Sequence, residues 1–273
     1  EERPVPLTQH MMVGRRLLPL YSHPAEIPEQ SEQTEQTELE RQPLQTGQPP
    51  LNPELLKAVK QARRAAASGG ASKNSYRGRG GGSARGPQPW KRSARGGRAP
   101  RRGEGGARTA RLKPPSRLQV VTALEGARLL PAIVFVFSRA GCEQAVHQVV
   151  SAGVDLTTEA EAARIRDVIE RRTADIPVGD LGVLGFHFWA HALERGVAAH
   201  HAGLLPVFKE TVEELFSAGL VKVVYATETL ALGINMPART VVLESLRKWN
   251  GSAHVTLSPG EYTQLTGRAG RRG

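Results

Sequence analysis

The chain has 273 residues, 39% hydrophobic and 23% charged, a length that allows one or two domains. Its single cysteine, Cys142, excludes an internal disulfide framework and suits a reducing compartment, with the cytoplasm as the expectation. No apolar run is long enough to span a bilayer and no charged-then-apolar leader opens the chain, so a piece of a longer soluble protein is expected.

Charge divides the chain. From Arg117 onward 16 Lys+Arg stand against 16 Asp+Glu, so the formal net charge of +11 lies wholly in residues 1–116. Residues 3–21, RPVPLTQHMMVGRRLLPLY, have the residue mix of an extended segment with prolines at its start. From His23 to Pro53 the chain is dominated by Gln, Glu, Thr and Pro, too poor in large apolar side chains to offset the entropy of ordering. Residues 52–67, NPELLKAVKQARRAAA, predict a short helix with Asn52 as N-cap and Pro53 at its first position.

Residues 68–113 are mostly Gly, Ser and Arg, with Glu104 the only acid among them, and no core can form from this. A passive linker needs no arginine. Arginine at this density implies an anionic partner, and Tyr76 and Trp90 offer faces on which bases could stack. Sequence-tolerant nucleic-acid binding and a plain linker both remain open for this segment.

From Pro115 the pattern becomes globular. Ser116 predicts a helix cap, with Leu118, Val121 and Leu124 at helical spacing and the helix running to about Leu130. PAIVFVF (131–137) reads as a strand covered on both faces, and Ser138 then caps a helix with the apolar stripe Ala145, Val146, Val149 and Val150. Thr158 and Glu161 form a capping box for a helix reaching about Arg172. GVAAHH (196–201), VKVVYAT (221–227) and TVVL (240–243) read as further strands, with a helix started by Pro206 between the first two. Residues 258–270 start like a helix, with Ser258 as cap and Pro259 following. Alternating strands and helices predict an α/β domain on a mostly parallel sheet.

Open parallel sheets bind ligands beyond the carboxyl ends of their strands. There the sequence places Ser138 and Arg139, then Ala202 and Gly203, then Thr227, Glu228 and Thr229. Ser138 and Thr227 read as helix caps, a role compatible with phosphate contact because helix N-termini offer free N–H groups. His200 and His201 are adjacent, so in a strand they face opposite ways and cannot chelate one metal; no metal site is expected. Gly233 permits close backbone approach, and the amide of Asn235 can bond a sugar or phosphate. Arg268 and Arg271, in GRAGR, suit phosphate, yet no glycine-rich loop for a nucleotide occurs in the chain.

AIVFVFSRAGC, GVAAHHAGLLPVFKETVEELFSAGLVKVVYATETLALGINMPARTVV and YTQLTGRAGRRG resemble motifs IV, IVa, V and VI of superfamily II DExH-type helicases. The pattern is most similar to the superkiller subfamily, exosome-assisting RNA helicases and their bacterial relatives. The resemblance covers residues 3–21 and 117–273. It implies an extended inter-domain segment at 1–21, a low-complexity insertion at 22–113, and a second RecA-like domain at 114–273. ATP with Mg2+ would sit between this domain and a first RecA-like domain carrying the phosphate loop and the Asp-Glu box, neither of which lies in these residues.

By the same resemblance, Arg268 and Arg271 are arginine fingers toward the terminal phosphate, which in phosphoryl transfer contribute roughly 10³–10⁵-fold. Thr227 matches a contact to the nucleic-acid backbone, with Ser138, Arg139 and Gly203 as further backbone contacts. Gly233, Asn235 and Gln264 match nucleotide-facing positions; Asn235 stands where related helicases commonly have Asp, and Gln264 where some have His. The expected partner is single-stranded RNA, with DNA as the alternative substrate and no membrane. A non-catalytic binding protein acting through the Arg/Gly segment is the rival reading.

Overall fold

The computed structural model describes residues 7–22, 49–68, 112–231 and 236–270. The expectations of disorder for 23–48 and 69–111 lie outside these residues. The chain divides into two compact units, one made of residues 1–20 with 115–273 and the other of 21–114.

In the second unit, Tyr21 and Leu51 form an isolated antiparallel bridge and the Ser22 N–H donates to Pro50 O at 2.9 Å. The two ends of the intervening segment are therefore adjacent. Helix α1 (Pro53–Ser68) follows, and Asn52 Oδ1 accepts the Glu54 N–H at 2.8 Å, satisfying a donor the helix leaves free.

In the first unit, the segment expected to be extended folds into a hairpin of β1 (His10–Val13) and β2 (Arg16–Pro19), turning at Gly14, whose φ is +63°. The α/β part begins at α2 (Arg117–Gly126), where Ser116 and Gln119 form a reciprocal capping box. The helix stops at Gly126 and does not reach Leu130. Arg128 takes φ +56°, its N–H donates to Glu125 O, and the Leu129 N–H donates to Leu124 O, the bond pattern of a Schellman stop.

Strands β3 (Ala132–Phe135), β4 (Val197–His200), β5 (Val223–Ala226) and β6 (Thr240–Leu243) form one parallel sheet in the order β4-β5-β3-β6. Alternate residues serve opposite faces, as strand geometry requires. Ile133, Phe135, Ala198, Val224 and Ala226 enter a core with α4 (Glu159–Thr173) and α7 (Pro206–Ser217). Val134, Val136, Val197, Ala199, Val223 and Tyr225 enter a second core with α2 and α3 (Arg139–Ser151). Beyond the predicted elements, the described residues contain α5 (Val178–Leu181), α6 (Phe186–Glu194) and an antiparallel hairpin of β7 (Arg247–Trp249) and β8 (His254–Thr256). Helix α8 (Pro259–Thr266) opens on a capping box of Ser258 and Glu261.

Candidate functional site

The carboxyl ends of the parallel strands carry the residues of interest. β3 runs into α3 through Ser138, an extended N-cap whose Oγ accepts the Gly141 N–H at 3.1 Å. A Cβ at Gly141 would stand 2.5 Å from Ser138 Oγ and 2.8 Å from Val136 Cγ1, so the turn closes only around a glycine. Behind it, burial pushes the Cys142 thiol up to about 12, and its Sγ donates to Val136 O. Arg139, the first residue of α3, is exposed and has no ion-pair or hydrogen-bond partner among the described residues.

At the end of β4 the two histidines face opposite ways, each toward its own carboxylate. His200 Nε2 lies 2.8 Å from Glu213 Oε1 of α7, and its Nδ1 has no partner among the described residues. Burial holds His200 below its ordinary value, opposed by its bond to Glu213. His201 Nε2 lies 2.8 Å from Glu143 Oε1 of α3, while Nδ1 accepts the Gly203 N–H at 3.1 Å. That N–H fixes the tautomer: Nδ1 is bare and Nε2 carries the proton given to Glu143. A Cβ at Gly203 would stand 3.1 Å from His201 Nδ1 and 3.3 Å from Arg139 Cδ, so the glycine makes room for the arginine's stem. Ser138, Arg139 and Gly203 thus share one corner, with the Gly203 N–H directed inward to His201.

At the end of β5 the Thr227 N–H donates to His200 O at 3.3 Å, joining two strand ends. The hydroxyls of half-buried Thr227 and exposed Thr229 are 2.9 Å apart, and one turn of 3₁₀ helix follows at Glu228–Ala231. Gly233 and Asn235 lie outside the described residues, as does Arg271. Gln264 is exposed on α8. Arg268 is buried, and its guanidinium donates to Ala231 O at the end of the 3₁₀ turn. Backbone pairing reinforces the tie: Ala238 bridges Ala269 in parallel fashion, with Ala238 N–H donating to Arg268 O and Gly270 N–H to Ala238 O. The segment after β5 and the end of α8 therefore hold each other in place.

Two residues that sequence reasoning did not single out join the same block. Lys248 Nζ lies 2.6 Å from Glu228 Oε2 and 2.6 Å from Glu261 Oε1, linking the β7–β8 hairpin to the turn after Thr227 and to the start of α8. Lys248 and the Ser258 cap hold the Glu261 carboxyl down to about 2, and Glu228 and Glu261 raise Lys248. At the end of β6, Glu244 accepts a two-pronged bond from Arg117, Nε at 2.7 Å and Nη2 at 3.0 Å, which raises the arginine's pKa. Glu143 and Gly141 were also missed. Ser-x-x-Glu at 258–261 was the available signal for Glu261; Glu143 and Lys248 act across long sequence separations and left none.

A parallel sheet flanked by helices on both faces is the arrangement of a RecA-like helicase domain, and residues 181–273 match the helicase conserved C-terminal domain family. The chain is 48% identical over 273 residues to probable helicase HelY of Mycobacterium tuberculosis, covering 100% of this chain and 25% of that protein. It is 46% identical over 156 residues to human superkiller complex protein 2, covering 57% of this chain and 12% of the relative. The DExH-box ATP-dependent RNA helicase DExH10 of Arabidopsis thaliana is 42% identical over 155 residues, 57% of this chain and 15% of that protein. These matches place the α/β region among the superfamily II DExH helicases, as their C-terminal half. The chain spans at most about a quarter of the length of these curated relatives.

Proposed function

We propose that this chain is the second motor half of an ATP-dependent RNA helicase, coupling ATP hydrolysis to translocation along RNA or to its unwinding. The observation that carries the reading is the joining of two roles in one block. The half-buried Thr227, a strand contact, opens the turn whose far end, Ala231 O, accepts from Arg268 on the motif VI segment. ATP and its Mg2+ bind mainly to a facing first RecA-like domain. This chain brings Gln264 and Arg271 toward the phosphates, with Gly233 and Asn235 beside the nucleotide, while Arg268, buried against Ala231 O, anchors the segment that carries them. Guanidinium donors neutralise charge as it develops on the transferred phosphoryl group, which is chemistry this donor set suits.

Ser138, Arg139 and Thr227 line the path of a strand whose phosphates they meet, and Gly203 beside them leaves the Arg139 stem its space. RNA is favoured over DNA by the superkiller pattern and by the relative named as an RNA helicase. The Arg/Gly segment adds a sequence-tolerant tether, and the working compartment is the cytoplasm.

The test is ATP turnover by the intact protein with single-stranded RNA and with DNA of the same sequence. RNA should stimulate turnover, and Thr227→Val together with Arg139→Ala should raise the RNA concentration needed for half-stimulation. Turnover indifferent to both strands, or turnover by residues 1–273 alone, overturns the reading. Stronger stimulation by DNA overturns only the RNA assignment.

A further inference from the structure

The Arg139 and Glu143 side chains lie four residues apart on α3, which puts them on the same face and within reach of each other. An exposed arginine with a carboxylate at that spacing ordinarily draws it into an ion pair. Here the pair is not made. Arg139 has no ionic partner among the described residues, and the Glu143 carboxylate goes instead to the Nε2–H of His201, at 2.8 Å. His201 is itself buried and oriented from its other side, because the Gly203 N–H occupies Nδ1 and commits the ring to donating through Nε2. Gly203 in turn leaves the space through which the Arg139 stem passes.

We infer that His201 is a positioning residue for strand binding: by holding the Glu143 carboxylate it keeps Arg139 unpaired and available to a nucleic-acid phosphate. The inference rests on the proposed strand-contacting role of Arg139. A carboxylate released beside Arg139 would neutralise it in place of the phosphate and would also repel the strand.

The two nitrogens of the ring can be separated by substitution. His201→Gln keeps an N–H donor at the Nε2 position and loses the acceptor toward Gly203. His201→Asn keeps the acceptor at the Nδ1 position and loses the donor toward Glu143. Binding of a fluorescent single-stranded RNA to the intact protein should weaken about tenfold in His201→Asn, the loss of one charge-assisted contact, and stay near the parent value in His201→Gln. The double variant His201→Asn with Glu143→Gln should regain the affinity, because the competing carboxylate is gone. Arg139→Ala should match His201→Asn, and the slope of log affinity against log salt should shrink by about 0.7 in both, the share of one phosphate on a single strand.

Loss of affinity in His201→Gln as large as in His201→Asn, or a double variant as weak as His201→Asn, overturns the inference in favour of a purely structural histidine. Should His201→Asn fail to fold, Glu143→Gln alone decides: affinity kept or raised supports the inference and lowered affinity overturns it. If Arg139→Ala leaves binding unchanged, the strand-contacting role of Arg139 fails, and the inference with it.

Discussion

Replacing Gly141 with alanine sets two effects against each other. Gly141 is the third residue of α3, where helix propensity alone favours alanine by about 0.5–1 kcal/mol. The structure opposes this. The added methyl would stand 2.5 Å from Ser138 Oγ and 2.8 Å from Val136 Cγ1, both shorter than real contacts. The Ser138 hydroxyl must leave the Gly141 N–H, costing about 1 kcal/mol for the lost cap, and the β3–α3 turn must also shift away from Val136, with overpacking costs of about 1–3 kcal/mol. Overpacking and cap loss together outweigh propensity, so the expected net destabilisation is about 1–3 kcal/mol. Urea unfolding of the 273-residue chain measures it, with Gly126→Ala as the control. Gly126 ends α2 with nothing within 4 Å of its missing Cβ, and alanine there should stabilise by about 0.5–1 kcal/mol. Equal, stabilising shifts at both glycines would refute the claim that the motif IV turn closes only around a glycine.

Three further outcomes are expected. Burial lowers the His200 pKa, so the unfolded chain takes up its proton near the ordinary 6.5 while the folded chain resists. Stability from this group is complete above that pH and falls on acidification, by at most about 1.4 kcal/mol per pH unit. The pH dependence of the thermal midpoint should therefore flatten below pH 6.5 in His200→Gln, which keeps a donor for Glu213. The Glu261 carboxyl, held at about 2, contributes stability above its ordinary 4.5 that is lost as pH falls toward 2. Lys248→Met should raise its midpoint by carboxyl NMR while leaving it below 4.5, because the Ser258 bonds remain; an unmoved midpoint would contradict the bridge. Deleting residues 68–113 should weaken binding of single-stranded RNA and flatten its salt slope by about 0.7 for each phosphate no longer neutralised. Unchanged affinity and slope would make that segment a linker.

The elements legible in the sequence were those with local chemical signals. Ser116, Ser138, Thr158 with Glu161, and Ser258 with Pro259 mark helix starts through side-chain caps, and the structure shows each cap made. Uninterrupted apolar runs marked β3, β4 and β5, because both faces of a parallel sheet are covered. Helix α6 escaped because its N-cap is Gly185 at φ +68° and makes no side-chain cap bond. The end of α2 was misplaced because its left-handed residue is Arg128, where a glycine would have been the signal. Asn250–Gly251 marks the β7–β8 turn, but strands of three mixed-polarity residues give no alternation to confirm it. At the site, the strand-end positions followed from topology together with the motif resemblance. The carboxylates that tune them did not, since Glu143 meets His201 across 58 residues and Glu228 meets Lys248 across 20.

The central claim is that the GRAGR segment acts on the terminal phosphate of ATP. Its most direct test is the turnover number and ATP affinity of the intact protein with Arg271→Ala, measured at saturating single-stranded RNA. Loss of an arginine that acts on charge developing in the transition state should lower turnover by about 10³–10⁵-fold, the full range for such groups, because Arg268 is buried against Ala231 O and does not stand in for it. ATP affinity should change little. A change confined to the Michaelis constant, with turnover preserved, would contradict the account and make Arg271 a clamp on bound nucleotide.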